Sequence, residues 1–144
     1  FKDLTNNIID MGKYIFDDLE FEYEDFEITE MWANVYKNGE DHLVHTHLNN
    51  IFTGVFYVEH GESIRFLDPR PAANVLSPTM KEYNPENSNQ CGFPSTENTM
   101  LLFPAWLQHF VPINRHTDRR ISVSFNFMLK GMVGKKGTLQ SANF

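Results

Sequence analysis

From residue 26 onward, apolar and polar residues alternate in short runs, which is the pattern of half-buried β-strands rather than of helices. The clearest run is 120–129, in which every second residue is apolar: Ile121, Val123, Phe125 and Phe127. Similar runs follow one another between Gly-, Pro- and Asn-rich turns, giving about eight predicted strands. We therefore expect a mainly β chain that forms a β-sandwich, jelly roll or barrel.

One amphipathic helix precedes these strands. Apolar side chains recur every three or four residues within 1–20, at Leu4, Ile8, Met11, Ile15 and Leu19. We predict a single domain over 1–144, with this helix packed outside a β core at 26–130 and a flexible Gly- and Lys-rich tail at 131–144. The chain begins with Phe instead of Met, so we expect that part of the native N-terminus is missing.

The composition disfavours several classes of partner and compartment. The formal net charge is -7 and the pI is about 5.3, so the surface repels nucleic-acid phosphates and anionic membranes. No apolar stretch approaches the ~20 residues of a membrane span. Cys91 is the single cysteine and cannot form an intrachain disulfide. We therefore expect a cytoplasmic protein that binds neither membranes nor nucleic acid.

Residues 69–98 form the least regular part of the sequence. This segment is rich in Asn and Ser and contains five prolines, at positions 69, 71, 78, 85 and 94. A long irregular loop in a compact domain often closes over a functional site, and an ordinary connection is the alternative. We predict that this segment is a substrate lid.

Three of the six histidines have the spacing of a metal site. His45 and His47 lie two positions apart on a predicted strand, so their side chains should leave the same face. His109 begins another predicted strand, which a folded sandwich can bring close to the first. A three-ligand face with open positions suits redox iron. A His-x-His pair also occurs in zinc sites and cupins, and ordinary half-buried histidines are the alternative.

Arg120 is the candidate anchor for an acidic ligand. It begins the predicted strand at 120–129, and Ser122 lies two residues on, on the same face. A buried dicarboxylate needs a fixed cation, and arginine offers a bidentate fork that stays charged. The Ser122 hydroxyl can add a hydrogen bond. In the alternative interpretation, Arg120 caps the strand or pairs with Asp118.

Three blocks of sequence resemble one known family. The blocks are MWANVYKNGEDHLVHTHLNNIFTGVFYVEHGESIRFLDPR at 31–70, LLFPAWLQHFVPIN at 101–114 and RRISVSFNF at 119–127. Together they are similar to the 2-oxoglutarate-Fe(II) oxygenase family of small bacterial and phage proteins, which is related to the prolyl-hydroxylase-like oxygenases. The resemblance implies a double-stranded β-helix, a jelly-roll or cupin-like fold, with the helix packed outside.

The same resemblance implies the ligands of Fe(II) and the anchor of 2-oxoglutarate. The first and distal ligand positions fall on His45 and His109, and Arg120 matches the residue that holds the far carboxylate. His47 stands where the wider superfamily has Asp or Glu, which makes an all-histidine site, and Asp68 is the acidic alternative. Asn34 and Asn126 could line the cosubstrate pocket from inward strand faces, and the Ser122 hydroxyl could bind beside Arg120. Tyr57 could hydrogen-bond a carboxylate, and a core aromatic is the alternative.

The resemblance also implies a reaction. Oxidation of 2-oxoglutarate to succinate and CO2 would be coupled to hydroxylation of an unknown substrate, a protein side chain or a small metabolite, with ascorbate as a reductant. A homodimer and a phage or marine bacterial source are further expectations. Two other functions stay open: a non-catalytic jelly-roll module for ligand binding or assembly, and a cupin-like metal enzyme that does not use 2-oxoglutarate.

Overall fold

The computed structural model describes residues 2–70, 75–76, 78–84, 86–115 and 119–144. Within them the chain forms helix α1 (Lys2–Asp18) and the strands β1 (Asp25–Tyr36), β2 (His42–His45), β3 (Phe52–Tyr57), β4 (Gly61–Leu67), β5 (Gln90–Ser95), β6 (Met100–Pro104), β7 (His109–Val111), β8 (Arg120–Lys130), β9 (Met132–Val133) and β10 (Ala142–Asn143). No helix in this described part of the chain is long and apolar enough to cross a membrane.

The strands form two antiparallel four-stranded sheets. One sheet has the order β1-β8-β3-β6 and the other has the order β2-β7-β4-β5, so the chain passes repeatedly from one sheet to the other. This strand order is that of an eight-stranded jelly roll, or double-stranded β-helix. The predicted fold class, a mainly β jelly roll with an N-terminal helix, is therefore confirmed.

Helix α1 covers the outer face of the first sheet. Its buried residues Ile8 and Phe16 pack against apolar side chains of that sheet, including Phe52, Phe125 and Phe127. The rings of Phe16 and Phe26 meet edge to face at 4.9 Å. The helix ends where Glu20 adopts a left-handed φ of 53° and the Phe21 amide donates to the Phe16 carbonyl at 3.0 Å, as in a Schellman-type C-terminus.

The two faces of strand β8 carry different kinds of side chain. Its odd-numbered residues Phe125, Phe127 and Leu129 belong to the cluster against the helix. Its even-numbered residues Arg120, Ser122 and Ser124 line a cavity between the sheets. The alternation in the sequence predicts this division correctly, because successive side chains of a strand point to opposite faces.

A β-bulge at Thr29 reverses which positions of β1 face the cavity. Phe26 and Ile28 pair with odd-numbered residues of β8 and pack toward the helix, whereas Glu30 pairs with Asn126. The register shifts between Ile28 and Glu30, since one extra residue is inserted there. From Glu30 onward, the even-numbered residues of β1 therefore share the inner face of the sheet.

Gly54, in β3, lies directly beneath an aromatic ring. It pairs with Phe125 of β8, and a Cβ atom at this position would overlap the Phe125 ring and come within 2.8 Å of the Leu101 carbonyl oxygen. The glycine thus lets Phe125 lie flat against the sheet, where it is fully buried.

Two segments that the sequence predicts to be irregular contain short paired strands. The segment predicted as a lid contains strand β5, which pairs with β4, and its residues 71–74, 77 and 85 lie outside the described part of the chain. The tail, predicted to be flexible, contains the paired strands β9 and β10, and Gly131 and Phe144 exchange backbone hydrogen bonds of 2.9 and 3.0 Å. Low hydrophobicity and turn-forming residues hide both hairpins from a search for apolar periodicity.

Candidate metal centre and cosubstrate pocket

Three imidazoles converge on the second sheet, where β2 pairs with β7. His45 ends β2, His109 begins β7, and these two residues are paired across the sheet. The ring centroids are 4.2 Å apart for His45 and His109, and each lies 5.2 Å from the centroid of His47. One nitrogen atom from each ring lies within 4.8 Å of the others. The three predicted ligand positions therefore come together.

His47 reaches this cluster in a different way from the one that the sequence predicts. The alternating pattern places His45 and His47 on one strand, but β2 ends at His45 and His47 lies in the irregular segment that follows. The His47 amide donates to the Ala105 carbonyl at 2.9 Å, which fastens this segment to the turn before β7. A tertiary contact, and not strand periodicity, thus brings His47 to the cluster.

The tautomers of two of these rings are set by backbone carbonyls. His45 Nδ1 lies 2.7 Å from the Leu43 carbonyl oxygen, and His109 Nδ1 lies 2.8 Å from the Leu107 carbonyl oxygen. A carbonyl only accepts, so each Nδ1 carries the proton and each Nε2 keeps its lone pair. This donor set fits a divalent metal ion, which binds the unprotonated nitrogen of a neutral imidazole.

Burial favours the uncharged form of two of these rings, His109 and His47. His109 is 3% exposed, and burial lowers its pKa to about 4, with smaller effects from the neighbouring histidines. Burial also lowers the pKa of His47, and His45 acts in the same direction. Neutral imidazole is the metal-binding form, so these two rings can bind a cation without first losing protons.

Arg120 lies in the same cavity with no acidic partner. Its side chain is 2% exposed, and no carboxylate of a described residue forms a salt bridge with it. Nη1 donates to Ser122 Oγ at a long distance of 3.4 Å, and Nε has no hydrogen-bond partner among the described residues. Asp118, the alternative partner considered from the sequence, lies outside that part of the chain. The guanidinium thus retains donors for a ligand.

Two tyrosines hold the Arg120 guanidinium between them. Its Cζ atom lies 5.2 Å from the Tyr36 ring centroid and 5.4 Å from that of Tyr57, at cation–π distances. Tyr57 is fully buried, and its hydroxyl has no partner among the described residues. Burial raises the pKa of Tyr57, so this hydroxyl stays protonated and can donate. The sequence predicts Tyr57 as a cosubstrate contact, and it lies beside the predicted anchor.

The remaining predicted cosubstrate contacts differ in how far their side chains are already hydrogen-bonded. Ser122 is 1% exposed and lines the cavity next to Arg120. Asn34 also lines the cavity, but its Nδ2 donates to Ser124 Oγ at 2.8 Å and its Oδ1 accepts from Trp32 Nε1 at 3.2 Å. Asn34 is therefore already bonded through both ends of its amide, whereas Ser122 faces the anchor directly.

His42 is a cavity residue that the sequence analysis misses. Although it is out of phase with His45 for a strand of period two, it lines the cavity and stacks on His45, with ring centroids 4.1 Å apart. Its Nδ1 lies 2.7 Å from the Tyr36 hydroxyl. The register between β2 and β7 shifts between His42 and His45, and this irregularity breaks the period of two. A period-based search gives no signal for it.

Asp68, the acidic alternative for the second metal ligand, is engaged elsewhere. Its two carboxylate oxygens accept from Arg70 at 2.7–3.2 Å, and these hydrogen bonds lower the pKa of Asp68 to about 2. It is not among the residues that cluster as candidate ligands in the described chain. The geometry thus favours His47 over Asp68.

The family comparison agrees with this arrangement. A family model described as "Putative 2OG-Fe(II) oxygenase" matches residues 30–126, which is more than half of the chain. The chain belongs to this family. The matched region of this 2OG-Fe(II) oxygenase family member contains the three clustered histidines and Arg120. No curated protein matches the chain.

Solved structures of related fold include a member of the 2OG-Fe(II) oxygenase family. One from Burkholderia pseudomallei is 13% identical, with a TM-score of 0.59, over 81% of this chain and 50% of that one. A Pseudomonas putida prolyl-4-hydroxylase is 14% identical, with a TM-score of 0.57, over 84% and 62%. The epimerase SnoN in complex with Fe3+, alpha ketoglutarate and nogalamycin RO is 13% identical, with a TM-score of 0.54, over 73% and 50%. The chain spans about half to two thirds of the length of these structures, and the likeness concerns the fold.

Proposed function

We propose that this protein is an Fe(II)- and 2-oxoglutarate-dependent dioxygenase that hydroxylates a C–H bond of its substrate. The observation that carries the proposal is Arg120, a buried guanidinium without an acidic partner among the described residues, in the same cavity as three clustered imidazoles. In the balanced reaction, one oxygen atom of O2 enters the substrate and the other enters succinate, while the C1 carboxylate of 2-oxoglutarate leaves as CO2.

The electrostatics of the cavity favour a dianionic ligand. A buried guanidinium that lacks a counterion is costly, so the free protein retains an unmet demand for negative charge. The far carboxylate of 2-oxoglutarate would meet this demand through the arginine fork, with the Tyr57 and Ser122 hydroxyls as additional donors. The orphaned Tyr57 hydroxyl and Arg120 Nε, both buried, would each gain an acceptor.

His45, His47 and His109 are the proposed Fe(II) ligands. When bound, Fe(II) would supply the redox chemistry with dioxygen that no side chain in the cavity can supply. The contribution of the protein is to favour the neutral forms of His47 and His109 by burial. Backbone carbonyls also fix the ring orientations of His45 and His109. The Trp32 ring, whose centroid lies 5.9 Å from that of His47, helps to shield that side of the cluster from water.

Several finer points belong to the same proposal. The substrate is a protein side chain or a small metabolite, ascorbate keeps the iron reduced, and the described residues within 69–98 border the substrate. The alternatives differ at one residue: a cupin-like metal enzyme that does not use 2-oxoglutarate would need the histidines but not Arg120. The decisive experiment therefore concerns Arg120.

The test compares two adjacent arginines. Arg120→Ala removes the proposed anchor, and Arg119→Ala removes an exposed arginine whose Nε lies 3.5 Å from Glu59 Oε2. The affinity of the Fe(II)-loaded protein for 2-oxoglutarate is measured by calorimetry without oxygen. We expect Arg120→Ala to weaken binding by at least about 30-fold, because removal of one partner of a buried charge pair costs ~2–5 kcal/mol. Arg119→Ala should bind as the wild type does.

Two outcomes would contradict the proposal. Equal 2-oxoglutarate affinity in the wild type and in Arg120→Ala would remove Arg120 as the anchor and favour a metal enzyme of the cupin kind. Wild-type protein that neither binds Fe(II) nor releases succinate in air, with 2-oxoglutarate and ascorbate present and candidate substrates supplied, would favour the non-catalytic binding module.

A further inference from the structure

The three clustered imidazoles differ in the hydrogen-bond partners of their rings. His45 and His109 each direct Nδ1 to a backbone carbonyl two residues earlier in the chain. His47 follows the end of β2, and no backbone carbonyl of a described residue accepts from its ring. A ligand ring without an outer partner is free to rotate and to change tautomer. The third imidazole therefore needs a partner of another kind.

Asn126 offers the missing acceptor. This residue of β8 is 2% exposed, and its Nδ2 donates to Glu30 Oε2 at 3.1 Å. A carboxylate only accepts, so the amino group must face Glu30 and the amide oxygen must point the other way. That oxygen, Oδ1, is buried and has no hydrogen-bond partner among the described residues. An unsatisfied buried carbonyl costs ~1–3 kcal/mol, so Asn126 requires a donor on the side opposite Glu30.

His47 lies close to both Asn126 and Glu30. The Trp32 ring centroid lies 5.9 Å from that of His47. Trp32 and Ser124 form the pair next to Glu30 and Asn126 along the inner face of the sheet. Burial lowers the pKa of His47 overall, while the Glu30 charge and the Asn126 amide act in the opposite direction. An effect of this sign arises when a neighbour accepts a hydrogen bond from the ring or brings negative charge near it. The buried amide oxygen and the imidazole without an outer partner are therefore complementary.

The bulge in β1 explains how Glu30 comes to this position. Without the extra residue at Thr29, the alternation that sends Phe26 and Ile28 to the helix would continue through the even-numbered positions, and Glu30 would lie on the outer face. Thr29 Oγ1 also donates to Asn50 Oδ1 at 2.6 Å, in the turn that follows His47. The bulge therefore joins β1 to the segment that carries this ligand.

We propose that Asn126 and Glu30 are the positioning residues of His47. Asn126 Oδ1 accepts from the ring nitrogen that does not face the metal, and Glu30 holds the amide in that orientation and places a carboxylate behind it. The inference rests on the proposed function, in which His47 is the third Fe(II) ligand. An all-histidine ligand set lacks a negative charge, and the Glu30 carboxylate, which lies behind Asn126, partly restores it.

The experiment measures binding of Co(II) alone to the metal-free full chain, by calorimetry and by the visible absorption of the bound ion. Asn126→Ala should weaken Co(II) binding about 10- to 100-fold, the effect typical of losing an outer partner of a ligand. Glu30→Gln keeps an acceptor for Asn126 Nδ2 and removes only the charge, so we expect a smaller loss, about threefold to tenfold, with a shifted Co(II) spectrum. Glu27→Gln, at an exposed position of the same strand that pairs with Lys130, is the matched control and should change neither.

A double variant separates positioning from general structural damage. In Glu30→Gln combined with Asn126→Asp, the amide and the carboxylate exchange places, so the residue-126 side chain can still accept from His47 and residue 30 can donate to it. We expect this exchange to restore Co(II) affinity at least to the wild-type value. If Asn126→Ala fails to fold, the exchange and Glu30→Gln still decide the matter.

Each outcome has a distinct meaning. Wild-type Co(II) affinity and spectrum in Glu30→Gln, together with an affinity below the wild-type value in the exchange variant, would overturn the positioning role and leave the proposed function intact. Wild-type protein that binds no Co(II) would overturn the proposed function and this inference with it.

Discussion

The two faces of β8 differ in composition and in their effect on the stability of the fold. Toward helix α1 the strand presents Phe125, Phe127 and Leu129, all buried among apolar neighbours. Toward the second sheet it presents buried polar residues, among them Arg120 and Asn126, whose hydrogen-bonding capacity is partly unused in the described structure. One face stabilises the fold, and the other holds polar groups whose burial opposes folding until a ligand satisfies them.

This difference shows how a jelly roll can carry a reactive cavity inside a small domain. The aromatic cluster on the outer face gains free energy from burial and from edge-to-face contacts, such as that between Phe125 and Phe127 at 5.5 Å. That gain offsets the cost of burying a guanidinium, a tyrosine hydroxyl and the His109 imidazole, and of half-burying the other two imidazoles, in the cavity. Substitutions on the two faces should therefore change stability in opposite directions.

The largest effect is expected on the outer face. Phe125→Ala removes a fully buried ring that lies over Gly54, and it should lower the free energy of unfolding by about 3–5 kcal/mol. Denaturant-induced unfolding measures the change. The control is Phe144→Ala, at a residue that is 60% exposed. Losses of equal size in the two variants would break the distinction between the faces.

The next effect is a pH dependence that only the cavity side should show. The unfolded chain protonates His109 near pH 6.5, whereas the folded chain protonates it near pH 4. Between these values the unfolded state binds more protons, so the free energy of unfolding of the metal-free protein should fall as the pH falls from 6.5 to 4. The expected contribution of His109 is on the order of 3 kcal/mol. It should be absent above pH 6.5 and constant below pH 4.

Denaturant titrations of the metal-free protein at several pH values between 4 and 7 measure this slope. His109→Gln cannot titrate, so the part of the slope due to His109 should disappear in it. The same pH dependence in the wild type and in His109→Gln would show that burial of this imidazole does not penalise its charged form.

The smallest effect has the opposite sign to that of Phe125→Ala. Arg120→Met replaces a buried cation that lacks an acidic partner among the described residues with an apolar side chain of similar length. The free energy of unfolding without 2-oxoglutarate should be no lower than in the wild type, and up to about 1 kcal/mol higher, because contacts with Tyr36 and Tyr57 offset part of the burial cost. Arg119→Met, at the exposed neighbour, should stay within about 0.5 kcal/mol. A strong loss confined to Arg120→Met would mean that the folded chain already satisfies this charge.

The sequence predicts those parts of the site that follow a regular period. Arg120 and Ser122 share a face of β8 because no irregularity interrupts that strand, and His109 opens β7 as expected. His42 and Glu30 escape prediction because each stands beside a register shift, one in β2 and one in β1. A single inserted residue reverses the facing of every later position, and the sequence carries no clear mark of where the insertion lies.

The sequence by itself determined the kind of elements, the division of β8 into an apolar and a polar face, and the residue types able to bind a metal and a diacid. Those properties depend on local periodicity and side-chain chemistry. Only the tertiary structure decided that His47 joins the cluster from beyond the end of β2, that Asn126 and Glu30 stand behind it, and that Tyr36 and Tyr57 enclose Arg120. These relations depend on bulges and long-range pairing, which are set by how the two sheets pack together and not by the residues nearest in the chain.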